Sequence, residues 1–219
     1  MKHKAVLVAA AVASIFLGGC SAPADEPAEA PVPRAPAEDA RARLLDVADL
    51  PTGGWVAEQS GPEQTETSKD KADLGPCMLD LASSMTELVS EDAERQFTRE
   101  GTSSFLMTAI YLDDSALASV ATFRRVMEPC VGPYDGTRSG QPVRVVTEPL
   151  EAPTDTHADE IACRRFETSQ KYTPFYGHMC FVAVSDALVG VSSLSRYSPI
   201  EDDEFFAILS AAAEKAAKS

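Results

Sequence analysis

Residues 161–195 read IACRRFETSQKYTPFYGHMCFVAVSDALVGVSSLS, and this stretch decides the fold. Three runs rich in β-branched, aromatic and small side chains, Ile161–Ser169, His178–Ser185 and Leu188–Ser195, are joined by short segments carrying Pro174, Gly177 and Asp186. No connection is long enough for a crossover helix, so the strands are expected to pair antiparallel with their neighbours. Cys163 and Cys180 lie almost equally far from the turn near Tyr172, so a hairpin sets them face to face.

Working outward, Val143–Pro149 reads as a further strand, and Glu94–Leu112 as two strands turning at Arg99-Glu100-Gly101. Three segments carry helical spacing instead. Leu74, Cys77, Leu81, Met85 and Leu88 recur at three and four residues, as do Ala116, Val120, Phe123, Met127 and Cys130, the latter stripe ending before Pro133. The last helix opens on a capping-box pattern, Ser198 with Pro199 and Glu201, and presents Phe205, Ile208, Leu209, Ala212 and Ala216 to the core. Acids 201–204 at its start and Lys215 and Lys218 near its end suit the helix dipole. The order predicts an α+β fold: a largely antiparallel β-sheet flanked by helices.

The amino terminus sets the address. Lys2 and Lys4 precede an uncharged run, Ala5–Leu17, too short to span a bilayer comfortably, and Leu17-Gly18-Gly19-Cys20 resembles the bacterial lipobox. Residues 1–19 are therefore expected to be a lipoprotein signal peptide, with Cys20 carrying diacylglycerol and palmitate-type acyl chains at the extracytoplasmic face of the cell membrane. Residues 20–43 follow as a Pro/Ala/acidic linker whose one large apolar side chain is Val32, able to reach roughly 60 Å if extended. The sensor-like domain is expected over 44–219. Of the whole chain's 219 residues 34 are acidic and 19 basic, a net charge of −15 that deepens to −17 when Lys2 and Lys4 leave with the signal. That charge argues against nucleic acid as a partner.

Five cysteines make one odd. With Cys20 assigned to lipid, four remain in an oxidising compartment and permit three pairings. The hairpin geometry favours Cys163 with Cys180, and the two helical stripes favour Cys77 with Cys130. His178-Met179-Cys180 places two metal-ligand types on one face of a strand, but no further Cys/His cluster accompanies it, so neither metal nor cofactor is expected.

Catalytic motifs are absent: there is no G-x-S-x-G, Walker loop, H-E-x-x-H or G-x-G-x-x-G. His157 sits in a polar loop pattern, and carboxylate pairs are too common in this chain to discriminate anything. Tyr172, Phe175 and Tyr176 cluster at the expected hairpin tip, either as a binding surface or folded back into the body, and Trp55 after Gly53-Gly54 is either a core plug or a ligand platform.

The segment Leu50-Pro51-Thr52-Gly53-Gly54-Trp55, the helix Ala116 to Cys130, the late Cys163 and Cys180 and the closing helix together resemble a group of actinobacterial envelope lipoproteins related to the extracellular sensor domain of the mycobacterial kinase PknH. The resemblance spans roughly 44–217. It implies two disulfides, a sheet flanked by helices and a cleft for an unidentified ligand; nothing kinase-like is present, so only the sensing module carries over. Envelope lipoproteins with a Mog1/PsbP-like sheet are a second resemblance. The expected function is a non-catalytic ligand-binding or sensor-like domain on a lipid anchor, its partner a small ligand or an envelope protein. The alternatives are an envelope interaction or accessory module, a lipid carrier, or a hydrolase.

Overall fold

A computed structural model describes residues 36–58, 93–112, 114–138, 141–154, 156–170 and 173–218. In chain order these form α1 (Pro36–Arg43), a 3-10 turn (Val47–Asp49), β1 (Trp55–Ala57), β2 (Ala93–Arg99), β3 (Ser104–Leu112) and α2 (Ala116–Met127), followed by β4 (Gly132–Arg138), β5 (Gln141–Leu150), β6 (Glu160–Gln170), β7 (Thr173–Val184), β8 (Ala187–Arg196) and α3 (Asp202–Ala217). The strands make one eight-stranded sheet ordered β1-β2-β3-β8-β7-β6-β5-β4. Every neighbouring pair is antiparallel. An α+β architecture follows, and no helix among the described residues is long and apolar enough to cross a membrane.

Alternation along β7 divides the core. Cys180, Val182 and Val184 face a cluster that includes Leu44, Phe97, Phe205, Ile208 and Leu209, so α1 and α3 cover this side. Phe181 and Ala183 point the other way, onto Val120, Phe123 and Met127 of α2. Each helical stripe is thus spent on one face of the sheet. The largest side chains of α3 on that stripe, Phe205, Ile208 and Leu209, are fully buried, and each contributes about 2 kcal/mol by leaving water.

The β7–β8 hairpin turns on Ser185 and Asp186, with Ser185 at φ 56, the positive φ that a two-residue hairpin loop demands. Asp186 then accepts a 2.6 Å hydrogen bond from Arg43 Nη1, and Asp39 accepts one of 3.1 Å from Arg43 Nη2. Arg43 is almost wholly buried, so this cation ties α1 to the far end of the sheet.

Several sequence expectations need correction. Residues 36–43, read as the end of a solvated linker, form α1, with Ala40 and Arg43 buried; local composition lacks apolar residues, and the helix is held by tertiary partners instead. The last helix starts at Asp202 and not at Pro199, because Ile200 is buried and draws the preceding residues into an extended path. Strand β7 begins at Thr173 and not at His178, since Pro174 and Gly177 pair with Ser169 and Phe166 and extend the ladder where they were expected to break it. The unexpected strands β1 and β4 lie at the two edges, where Pro133 within β4 is tolerated. Among the described residues one disulfide is formed, the expected Cys163–Cys180; the other expected pair, Cys77 with Cys130, reaches outside them. Cys77 and its helical stripe lie outside the described residues, as do residues 1–35, including Cys20.

Candidate functional site

Beside the first turn of α3, no element among the described residues covers the sheet face formed by β5, β6 and β7, which makes the floor of a cleft of about 520 Å³. The register explains who lines it. Val146 pairs with Glu167, Glu148 with Arg165, Glu167 with Tyr176 and Arg165 with His178, so these side chains share the α3 face. Ile200 closes the apolar side, and Glu201, Asp202 and Asp203 form the rim.

Asp202, the first residue of α3, is the hinge of the site. Its carboxylate accepts a hydrogen bond from Arg165 Nη2 on β6 and lies 3.1 Å from His178 Nε2 on β7. An ionised carboxylate only accepts, so facing Asp202, Nε2 carries the hydrogen and Nδ1 is the acceptor, receiving the Ser193 hydroxyl at 3.0 Å. The Ser193 oxygen in turn accepts the His178 backbone N–H at 3.2 Å. On its open side the ring stacks on Phe205, 4.6 Å between centroids and 26° from parallel. The imidazole is fully buried. Burial pushes its pKa down, the hydrogen bond and charge of Asp202 oppose this, and the cationic Arg165 adds to the lowering.

Ser193, His178 and Asp202 follow one another as in a hydrolase relay, yet their surroundings differ. Ser193 is 3 % exposed and its hydroxyl is engaged as both donor and acceptor. The chain of bonds therefore fastens the start of α3 to the sheet, and leaves Ser193 no open face toward the cleft. Among the described residues no group of three His, Cys, Asp or Glu side chains is placed to hold a metal ion. Cys180 is committed to Cys163, directly opposite it in the ladder.

The residues singled out from sequence are separated by the fold. Tyr176 lines the cleft, half-buried in β7, whereas Phe175 next to it belongs to the opposite face by alternation. Tyr172 lies outside the described residues. Trp55 is 3 % exposed, with the Arg99 guanidinium stacked 5.1 Å above its ring. His157 is exposed in the loop before β6. Arg165, Glu148 and Asp202, which make the site, were missed from the sequence. Their only sequence signal is that Arg165 and Glu167 alternate with Cys163 along one strand, which becomes informative once the register of three strands is known.

With this geometry in view, the chain is similar to the crystal structure of the extracellular domain of PknH from Mycobacterium tuberculosis. The superposition has a TM-score of 0.56 at 14 % identity and covers 83 % of this chain and 96 % of that one. At such identity the likeness establishes a shared fold. No family model and no curated protein matches the sequence.

Proposed function

We propose that the chain is an extracytoplasmic lipoprotein, anchored through Cys20, whose folded domain binds a ligand and carries out no chemistry on it. The observation that carries this reading is the cleft over β5–β7. It has an apolar floor, Val146 and Ile200, an aromatic side wall, Tyr176, and one cation, Arg165, held at fixed height by Asp202. Such a mixture suits a small amphiphilic molecule, and the rim carboxylates Glu148, Glu201 and Asp203 favour one bearing a basic group. The lipobox-like Leu17–Cys20, the Cys163–Cys180 disulfide and the fold shared with an extracellular domain support the envelope address.

A thermal-shift screen of envelope-derived peptides, amino sugars and lipids against the full chain tests the binding reading, because a ligand specific to the native state raises the melting temperature. At least one basic amphiphile should stabilise the protein, and Tyr176→Ala should remove that shift, measured against the melting temperature of the unliganded variant itself. A flat response across all classes would overturn it. Metabolic labelling with palmitate tests the anchor: the label should be incorporated, and Cys20→Ser should abolish it.

A further inference from the structure

The loop between β8 and α3 carries a second, separate feature on its other side. Tyr197 sits at φ 78, in the left-handed region that a bulky aromatic residue rarely adopts, and its side is 65 % exposed. The fold therefore tolerates backbone strain there and recovers no buried area from the ring in return. Strain of this kind collects where a side chain is being presented. Arg196 lies over the ring, its guanidinium carbon 4.8 Å from the centroid, which holds the phenol in one orientation.

Beneath this ring is a cleft of about 600 Å³ with a composition unlike the first. Among the described residues its lining holds two basic and two acidic side chains: Arg99, paired with Glu204 at 2.8 Å, and Arg196 and Glu201. Among the described residues the Ser103 and Ser198 hydroxyls, both exposed on its wall, have no hydrogen-bond partner, and Arg196 forms no ion pair. An exposed aromatic face, planar charged groups that both donate and accept, and unpaired hydroxyls are the complement of a pyranose ring, which offers an apolar C–H face and a belt of hydroxyls.

We infer that the Arg196–Tyr197 cleft is a saccharide-binding site, with one sugar ring stacked on Tyr197 and its hydroxyls bonded by Arg196, Glu201 and Ser103. Electroneutrality of the cleft and the acidity of the chain select neutral sugars over polyanionic ones. The site shares only the Pro199–Glu201 segment with the cleft on Arg165 and stands or falls independently of it.

Trp55 is the only tryptophan of the chain and lies under Arg99, which lines this cleft, so its fluorescence reports on occupancy. The full chain is titrated with cello-, malto-, manno- and galactohexaose, and with a hexauronate as the charged comparator. At least one neutral hexasaccharide should give a saturable change. Tyr197→Gly should then weaken it about tenfold or more while raising the melting temperature, because glycine relieves the positive φ as it deletes the platform. Tyr197→Phe should bind within about threefold of the parent, since the stacking face is kept. Silence from every neutral hexasaccharide, a response to the hexauronate alone, or unchanged affinity in Tyr197→Gly overturns the assignment.

Discussion

His178 Nε2 lies 3.1 Å from Asp202 Oδ1, so a fully buried imidazole in the middle of β7 meets the first carboxylate of α3. Together with the bond from Arg165 to the same carboxylate, this contact joins the sheet to the helix that covers it, and the Ser193 bond at the far side of the ring, on Nδ1, depends on a neutral imidazole. Protonation would make Nδ1 a donor facing the Ser193 oxygen, which already accepts the His178 backbone N–H and would lose the acceptor for its own hydrogen.

The pH dependence has a definite sign. His178 titrates below its ordinary value of about 6.5 in the folded protein, so the unfolded chain binds the extra proton first. Its contribution to stability is complete above about pH 6.5 and is lost as pH falls below that value. Melting temperatures measured from pH 8 to pH 5 should decline, and His178→Phe, which keeps the stack on Phe205, should flatten that decline. An equal slope in both proteins would count against it.

Gly177 admits no side chain. A Cβ built there would lie 2.2 Å from Phe166 Cζ and 2.4 Å from the Ser193 carbonyl oxygen. Gly177→Ala should cost about 3 kcal/mol in chemical denaturation, at the upper end for overpacking. The phenyl ring can swing aside but the carbonyl belongs to the β8 backbone, so Phe166→Ala should not rescue it. Gly53→Ala, with nothing within 4 Å, should stay close to the parent.

The Cys163–Cys180 bond closes a loop over 17 positions of sequence between directly opposed residues of β6 and β7. Replacing both cysteines by serine should lower stability by about 3 kcal/mol on the loop-entropy estimate. Non-reducing peptide mapping should recover the 163–180 link. The same map tests the proposed Cys77–Cys130 bond.

Arg43 is the buried member of a pair whose acid, Asp186, remains 58 % exposed in its side chain. Breaking a fully buried pair costs ~3–5 kcal/mol, and partial solvation of Asp186 discounts that, so Asp186→Ala should lose about 2 kcal/mol by equilibrium unfolding. The hydrogen bond from Arg43 holds the Asp186 carboxyl below its usual range. This contribution is therefore kept above the ordinary carboxylate pKa and lost as pH falls through the lowered one, a window more acidic than that of His178.

Much of the fold is legible because it is written in local periodicity. The stripe Ala116, Val120, Phe123 and Met127 is the buried face of α2, and Phe205, Ile208, Leu209, Ala212 and Ala216 are buried in α3. The turn at Gly101 joins β2 to β3 as expected, at φ 72. Elements without a periodic signal were not legible. Strand β4, GPYDGTR, has poor β propensity and exists through its pairing with β5 along its whole length. Helix α1 has almost no apolar stripe and is secured through Arg43.

The candidate sites were harder to read for a related reason. Tyr176 was noticed for its ring and does line a cleft, but Phe175 was noticed with equal force and faces the other way. Tyr197 drew no attention, because exposure and a positive φ are properties of a folded backbone.

By itself the sequence determined an antiparallel sheet with covering helices, the opposition of Cys163 and Cys180, and the signals that point to the envelope. Each of these depends on neighbours within a hairpin, a helical turn or a short motif. Only the tertiary structure decided that Asp202 would reach His178 and Arg165, that Arg43 would find Asp186, and that two clefts would open on either side of the β8–α3 loop. Those contacts join residues dozens of positions apart, and they are set by strand register and by where a helix stops covering a sheet.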